Sequence, residues 1–185
     1  MTWHPELQQL VHSPVEEQDG LRAAKIGSLP STPLKPNATT PLGLPAKAGN
    51  QSEVRVSFAR PAGAVRLSVN VMVDSSRKAA GTEFFIEYVP GKPTVSVGSG
   101  GTTDVLQLLP DDKTIELILY VDNTFTEAFW QGGRVAMTVV TPTSGGHDDV
   151  TLGASQPGVS ASATAWSVGS IWVSPEVVKY TPRRG

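Results

Sequence analysis

Apolar and polar residues alternate along most of the chain from residue 51 onward. In the segments SEVRVSFA (52–59) and AVRLSVNVMV (64–73), nearly every second residue is apolar. A period of two is that of a β-strand with one face buried. Similar short segments follow at 82–90, 93–99, 104–109, 114–122, 124–130, 134–141, 150–155, 159–166 and 167–174. Roughly ten short strands separated by turn residues predict an all-β fold, an antiparallel two-sheet β-sandwich.

The first fifty residues lack this alternation. Ser13 followed by Pro14 and two glutamates predicts the start of a short helix that ends near Gly20. Five prolines between residues 30 and 50 predict a linker or wrapped loop, because proline offers no N–H to a strand ladder. The predicted organisation is therefore an N-terminal segment with a linker helix (1–29), a Pro-rich linker (30–50) and a β-sandwich domain (51–185).

Residues 114–141 predict a three-stranded meander that holds two carboxylates. Asp122 lies at the end of one strand and Glu127 lies on the next, and a retaining glycosidase needs two carboxyl groups about 5–5.5 Å apart. The favoured interpretation is structural: Asp122 caps a turn, and Glu127 pairs with Arg134 or with backbone donors. Gly132 and Gly133 then form a tight turn with positive φ.

The tryptophans and one His-Asp-Asp run are the other candidates for function. Trp130 and Trp172 are predicted either to stack on a sugar or to pack in the core or against another domain, and the packing role is favoured. His147, Asp148 and Asp149 follow Ser-Gly-Gly, which predicts an exposed loop rather than a metal site. No metal site and no cofactor site are therefore predicted.

Composition excludes several classes of function. The chain has 185 residues, a formal net charge of −2 and no cysteine, which excludes disulfides and thiolate chemistry. No basic stripe indicates nucleic-acid binding, and no apolar run reaches the ~20 residues of a membrane helix. The first residues, MTWHPELQQL, have no apolar signal region, whereas Asn37 and Asn50 begin glycosylation sequons. We therefore expect an upstream segment to be missing.

Three segments resemble glycoside hydrolase family 32, the family of invertases, inulinases and fructan-processing enzymes. The stretch YVDNTFTEAFWQGGRVAMT resembles a signature near the end of that family's chains, with Asp122, Glu127 and Arg134 in place. The stretch HPELQQLVHSPVEEQDGLR resembles the point where its catalytic propeller ends and a linker begins. The stretch GVSASATAWSVGSIWV resembles its closing strands, with Trp166 in the late position.

The resemblance implies a C-terminal β-sandwich without its catalytic propeller. Family members use aspartates in W-M-N-D-P-N-G-type and R-D-P motifs and a glutamate in an E-C motif, and this sequence contains no Asp-Pro and no Cys. Residues 1–29 would be the propeller end, and the parent protein would hydrolyse β-fructofuranosides such as sucrose or fructans in a secreted or vacuolar location. This chain alone is expected to be inactive and structural, either bracing the catalytic domain or self-associating. The alternative is a non-catalytic carbohydrate-binding module.

Overall fold

Fourteen β-strands make up most of the computed structural model, which describes residues 1–77, 80–142, 148–169 and 179–180. Short 3-10 helices lie at Glu16–Leu21, Ser75–Arg77 and Gln131–Gly133. In chain order the strands are β1 (Thr2–His4), β2 (Gln9–Val11), β3 (Arg22–Pro33), β4 (Ala38–Pro41), β5 (Gln51–Ala59), β6 (Val65–Val73), β7 (Thr82–Tyr88), β8 (Thr94–Ser99), β9 (Thr102–Gln107), β10 (Thr114–Asp122), β11 (Phe125–Trp130), β12 (Val135–Val140), β13 (Asp149–Ala154) and β14 (Ser160–Val168).

The strands form two antiparallel sheets and a separate hairpin. The six-stranded sheet has the order β12-β11-β10-β5-β14-β3, and the five-stranded sheet has the order β13-β6-β7-β8-β9. Strand β4 lies against β13, with backbone bonds to β13 before and after it. Strands β1 and β2 pair with each other and, in the described part of the chain, with no further strand. The predicted antiparallel two-sheet β-sandwich is confirmed.

The core lies between the two sheets and follows the alternation of the sequence. Every second residue of β5, β6 and β10 is buried, while the residues between them face outward. On β7 the adjacent phenylalanines divide as the strand period requires, because Phe84 is fully buried and Phe85 lies under the Arg66 guanidinium on the outer face. The largest fully buried apolar side chains are Trp130, Phe58, Phe84, Leu67, Met72, Ile86, Leu106, Ile115, Leu117, Leu119 and Leu152.

The N-terminal part of the chain is more regular than its sequence predicted. Strand β3 pairs with β14 along its length, and β4 runs beside β13, so much of residues 30–50 is not a loop. Leu34, Leu42 and Leu44 from this segment are buried in the core. The prolines are tolerated because β3 is an edge strand, where an N–H directed at solvent can be lost. The predicted domain boundaries themselves stay a prediction.

The predicted linker helix is present but differs in kind. It is a 3-10 helix at Glu16–Leu21, and the residue before it, Val15, makes no side-chain capping bond. Ser13 and Pro14 therefore do not start the helix, contrary to the prediction. The helix has no buried residue of its own and is held by the ion pairs of Asp19 described below.

Candidate functional site

The outer face of the six-stranded sheet carries the chemical groups that the sequence singled out. A cavity of about 350 Å³ opens here at the end of β10, between that strand, β11 and the Glu16–Leu21 helix. We call it the outer-face cavity. Its polar and aromatic lining residues are Gln18, Gln51, Ser52, Tyr120, Asp122, Phe125 and Glu127.

The two carboxylates of the meander share this face. Glu127 lies directly opposite Tyr120 in the β10–β11 register, and Asp122 lies two residues beyond Tyr120. The two acids are therefore diagonal neighbours on one surface. Asp122 is exposed and accepts a 2.9 Å bond from the Asn123 side chain, and the Thr124 N–H donates to the Asp122 backbone oxygen. Asp122 thus lies at the turn, but the turn bond from the Thr124 N–H uses its backbone oxygen and not the carboxylate that was predicted to cap the turn.

Arg134 does not pair with Glu127, which corrects the sequence interpretation. Its guanidinium instead binds Asp112 through two bonds, Nη1 to Oδ2 at 2.6 Å and Nη2 to Oδ1 at 2.9 Å. Asp112 also accepts the Leu109 N–H at 2.7 Å. Arg134 follows the Gly-Gly turn at the far end of β11, so it reaches the loop before β10 and not the mid-strand Glu127. The pair ties that loop to the meander.

A buried acid beside the cavity organises the same face. Glu53 on β5 lies directly opposite Tyr120 of β10 on one side and Trp166 of β14 on the other. Its side chain is fully buried. Arg22 donates to it through two bonds of 2.6 Å, and Arg55 donates through one of 2.7 Å. Both arginines also contact Asp19 of the 3-10 helix, at 2.7 and 3.1 Å. We call these four residues the Glu53 network.

The Glu53 network shifts the ionisation of its members. Burial alone would raise the pKa of Glu53, but the hydrogen bonds from Arg22 and Arg55 outweigh it and hold that pKa below its usual range. The hydrogen bond to Glu53 raises the pKa of Arg22. Burial, assisted by the negative charge of Glu53, raises the pKa of the Tyr120 hydroxyl. Glu53 is thus held as a carboxylate and Tyr120 as a neutral phenol.

The tryptophans do not form an aromatic platform among the described residues. Trp130 is fully buried in the core, so it has no surface to offer a sugar or another domain. Trp166 is half-buried and stacks on Arg22, whose guanidinium carbon lies 4.7 Å from the ring centroid. Trp172 lies outside the described residues. The packing role predicted for Trp130 agrees with its position.

The prediction of an exposed loop at His147–Asp149 is wrong for Asp148 and Asp149, which begins β13, and His147 lies outside the described residues. Asp148 is buried, and the Asp149 carboxylate accepts the backbone N–H groups of Leu44 and Gly43 at 3.0 and 3.3 Å. Asp149 therefore holds the chain segment before β5 in place. Within the described residues, no three histidine, aspartate or glutamate side chains group as a metal site.

Sequence reasoning missed the Glu53 network. The alternation of β5 and β10 puts Glu53, Arg55 and Tyr120 on the outward face of their strands, which predicts solvent contact. The strand period gave no signal for it, because Tyr120 and Trp166 become neighbours of Glu53 only in the folded sheet, and Arg22 and Asp19 reach it from β3 and the 3-10 helix. No helix in the described ranges is long and apolar enough to cross a membrane.

The fold is that of a region of glycoside hydrolase family 32 enzymes. No protein-family model matches the sequence, and no curated protein matches it. The solved structures that match include fructan 1-exohydrolase IIa from Cichorium intybus (TM-score 0.73, 17% identity), exo-inulinase from Aspergillus awamori (0.59, 17%) and a family 32 β-fructofuranosidase from Bombyx mori (0.52, 17%). The resemblance predicted from the motifs is confirmed at the level of fold.

The match covers most of this chain but a minor part of each enzyme. It spans 88%, 88% and 86% of this chain and 38%, 33% and 30% of the three enzymes, respectively. The chain therefore spans about a third of the length of the enzymes it resembles, which agrees with a C-terminal sandwich region.

Proposed function

We propose that this chain is the β-sandwich part of a β-fructofuranosidase-type glycosidase and that it braces a catalytic domain. The fold supports the family, and the β1–β2 hairpin supports the bracing role. The parent activity would be hydrolysis of β-fructofuranosides. The catalytic aspartates and the acid/base glutamate of such an enzyme would come from the other domain, since their motifs do not occur in this sequence.

The β1–β2 hairpin is the observation on which the bracing role rests. Each strand has three residues, and a two-stranded sheet of this size is marginal in water without further strands or a packing partner. Trp3 lies directly opposite Leu10, and the two side chains are 57% and 49% exposed. An apolar cross-strand pair on a hairpin with two open edges fits a place against the β-structure of another domain.

The hairpin is joined rigidly to the sandwich. The His12 N–H donates to the Gly133 backbone oxygen at 3.0 Å, and the Gln9 side chain donates to the Arg134 backbone oxygen at 3.0 Å. Arg134 in turn binds Asp112. A domain seated on the hairpin would therefore be held at a fixed position relative to the meander that carries the family signature.

A chimaera tests the bracing role. This chain would replace the sandwich of the Cichorium intybus fructan 1-exohydrolase. The chimaera would be held at elevated temperature, and the half-life of its activity on 1-kestose would be measured. We expect Trp3→Ser with Leu10→Ser to shorten the half-life at least about threefold, because the hairpin would lose its apolar contact. Val140→Ser is the matched control, since Val140 is 74% exposed and lies at the end of β12 opposite to the hairpin joint at Gly133 and Arg134.

Equal half-lives for the hairpin variant and the unmodified chimaera would contradict the bracing role. The purified chain, assayed alone with sucrose and inulin, should release no fructose. Turnover by the purified chain would contradict the assignment of the chemistry to another domain.

Carbohydrate binding is the second candidate function, and the outer-face cavity favours it. Phe125 is 38% exposed and offers a ring face, while Asp122 and Glu127 offer acceptors for sugar hydroxyls. Calorimetric titration with inulin should then give millimolar or tighter binding that Phe125→Ala weakens at least about fivefold. Val105→Ala is the control, because Val105 is 63% exposed on β9 of the other sheet and does not line the cavity. Absence of heat at millimolar inulin would remove this candidate.

A further inference from the structure

Three of the four edges of the sandwich are protected against pairing with another strand. Strand β3 carries Lys25 and Pro30, and its register with β14 shifts three times. Strand β13 is covered by β4. On β9 the Asp104 carboxylate accepts the N–H of the next residue, Val105, at 2.7 Å, which leaves that donor unavailable to a partner. Charge, proline, irregular register and covering strands are the devices that keep sheet edges from associating.

The remaining edge, β12, carries no charge, proline or register shift, and the β1–β2 hairpin approaches it at its start, where the Gln9 side chain donates to the Arg134 backbone oxygen at 3.0 Å. Its sequence, VAMTVV, contains no charged residue, proline or glycine. It pairs with β11 in an unbroken register, and within the described residues no strand pairs with its other side. Its outward residues Ala136, Thr138 and Val140 are exposed, and the exposed fraction of Val140 reaches 74%. A flat edge of β-branched and apolar residues favours the addition of another strand.

The hydrogen-bonding groups of this edge have a defined direction. The Thr141 N–H donates to the Thr124 backbone oxygen at 2.8 Å, so Thr141 points its backbone groups at β11. Because these groups alternate in an antiparallel pair, Val139 and Met137 also point at β11. The N–H and C=O groups of Ala136, Thr138 and Val140 therefore point away from the sheet, toward the open edge.

We propose that a second copy of this chain adds its β12 antiparallel to this edge, about a two-fold axis at Thr138. Thr138 then faces Thr138 of the second copy, and Ala136 faces Val140 on either side. In each of these pairs the two side chains lie on the same face of the sheet. The N–H and C=O groups of both residues point at the strand of the other copy, so they can form hydrogen bonds across the axis. A strand without charge is compatible with its own copy, since no like charges meet across the axis. The inference rests on β12 alone and is independent of the proposed function.

Charge variants at Thr138 test the two-fold axis. Sedimentation velocity on the full chain should show a monomer–dimer equilibrium in the micromolar range. Thr138→Lys and Thr138→Glu should each weaken dimerisation at least about tenfold, because two like charges would lie opposite each other. An equimolar mixture of the two variants should restore the dimer, because opposite charges then meet at the axis.

The mixture separates an interface effect from a folding defect, since neither variant can rescue misfolding in the other. Thr103→Lys and Thr103→Glu, exposed on the β9 edge, are matched controls that should leave dimerisation unchanged. A monomer at all concentrations up to 0.5 mM would overturn the proposal. So would a Thr138→Lys dimer as strong as the unmodified one, a mixture that stays monomeric, or the loss of the dimer in both Thr103 controls.

Discussion

Replacing Glu53 by alanine is expected to lower the free energy of unfolding by about 3 kcal/mol, among the largest effects of any single change on this face. The carboxylate is fully buried and accepts three hydrogen bonds from Arg22 and Arg55. Its removal leaves the two guanidinium groups with only the half-exposed Asp19 as a shared anion. It also weakens the attachment of the 3-10 helix, because Glu53 orients the two arginines that bind Asp19.

Urea unfolding at pH 7 measures this loss. Glu87→Ala is the matched control, because Glu87 also binds an arginine, Arg66, but its side chain is 48% exposed. An exposed ion pair contributes at most about 1 kcal/mol, so the control should change the midpoint little. If the two variants lost the same stability, the burial of the Glu53 network would have no energetic consequence, contrary to the prediction.

The stabilisation that Glu53 provides has a defined dependence on pH. The pKa of Glu53 is lower in the folded chain than its ordinary value, so the unfolded chain binds the proton more tightly. The stabilisation is complete above the unfolded pKa, about 4.3 for a free glutamate, and is lost as the pH falls through the folded pKa. The stability difference between the unmodified chain and Glu53→Gln should therefore narrow below about pH 4.

Strand period and turn residues were sufficient to predict the sandwich, because burial on one face fixes the alternation of β5, β6 and β10. They did not predict β3 and β4. A high number of prolines usually indicates a loop. In these strands the prolines lie on an edge, where the missing N–H costs little, and the strands therefore form in spite of them. The buried leucines of residues 30–50 do not follow the alternation of a strand, because they lie in the turns before and after β4. The sequence pattern therefore does not identify them as core residues.

The side-chain partners were predicted less well than the strands. The Glu127–Arg134 pair was inferred because the two residues are close in sequence, whereas Arg134 binds Asp112, which lies 22 residues earlier. Glu53 was placed correctly on the outward face, yet it is buried by the 3-10 helix and by two arginines from β5 and the start of β3. Such contacts depend on which strands become neighbours in the sheet. The alternation within a single strand shows which face is buried, but it does not show which strands lie beside it.

Gly133→Val is expected to destabilise the fold by at least about 3 kcal/mol and to detach the β1–β2 hairpin. Gly133 has a φ of +101°, a conformation that a β-branched residue does not adopt without strain. A Cβ at this position would also lie 2.3 Å from the His12 backbone oxygen and 2.8 Å from the Ser13 nitrogen. The hairpin would have to move, which would break the His12 N–H bond to the Gly133 oxygen.

Substitution of the adjacent Gly132 distinguishes the cost of backbone strain from the cost of a steric clash. Gly132 has a φ of +67°, but nothing lies within 4 Å of a Cβ built there. Gly132→Ala should therefore cost only the backbone strain of about 1–2 kcal/mol, whereas Gly133→Ala should cost more and should raise amide hydrogen exchange in residues 2–12. Equal melting temperatures and equal exchange for the two alanine variants would show that the hairpin does not pack on Gly133. Because the bracing role depends on this joint, Gly133→Ala in the chimaera should shorten the half-life of hydrolysis as the Trp3 and Leu10 substitutions do.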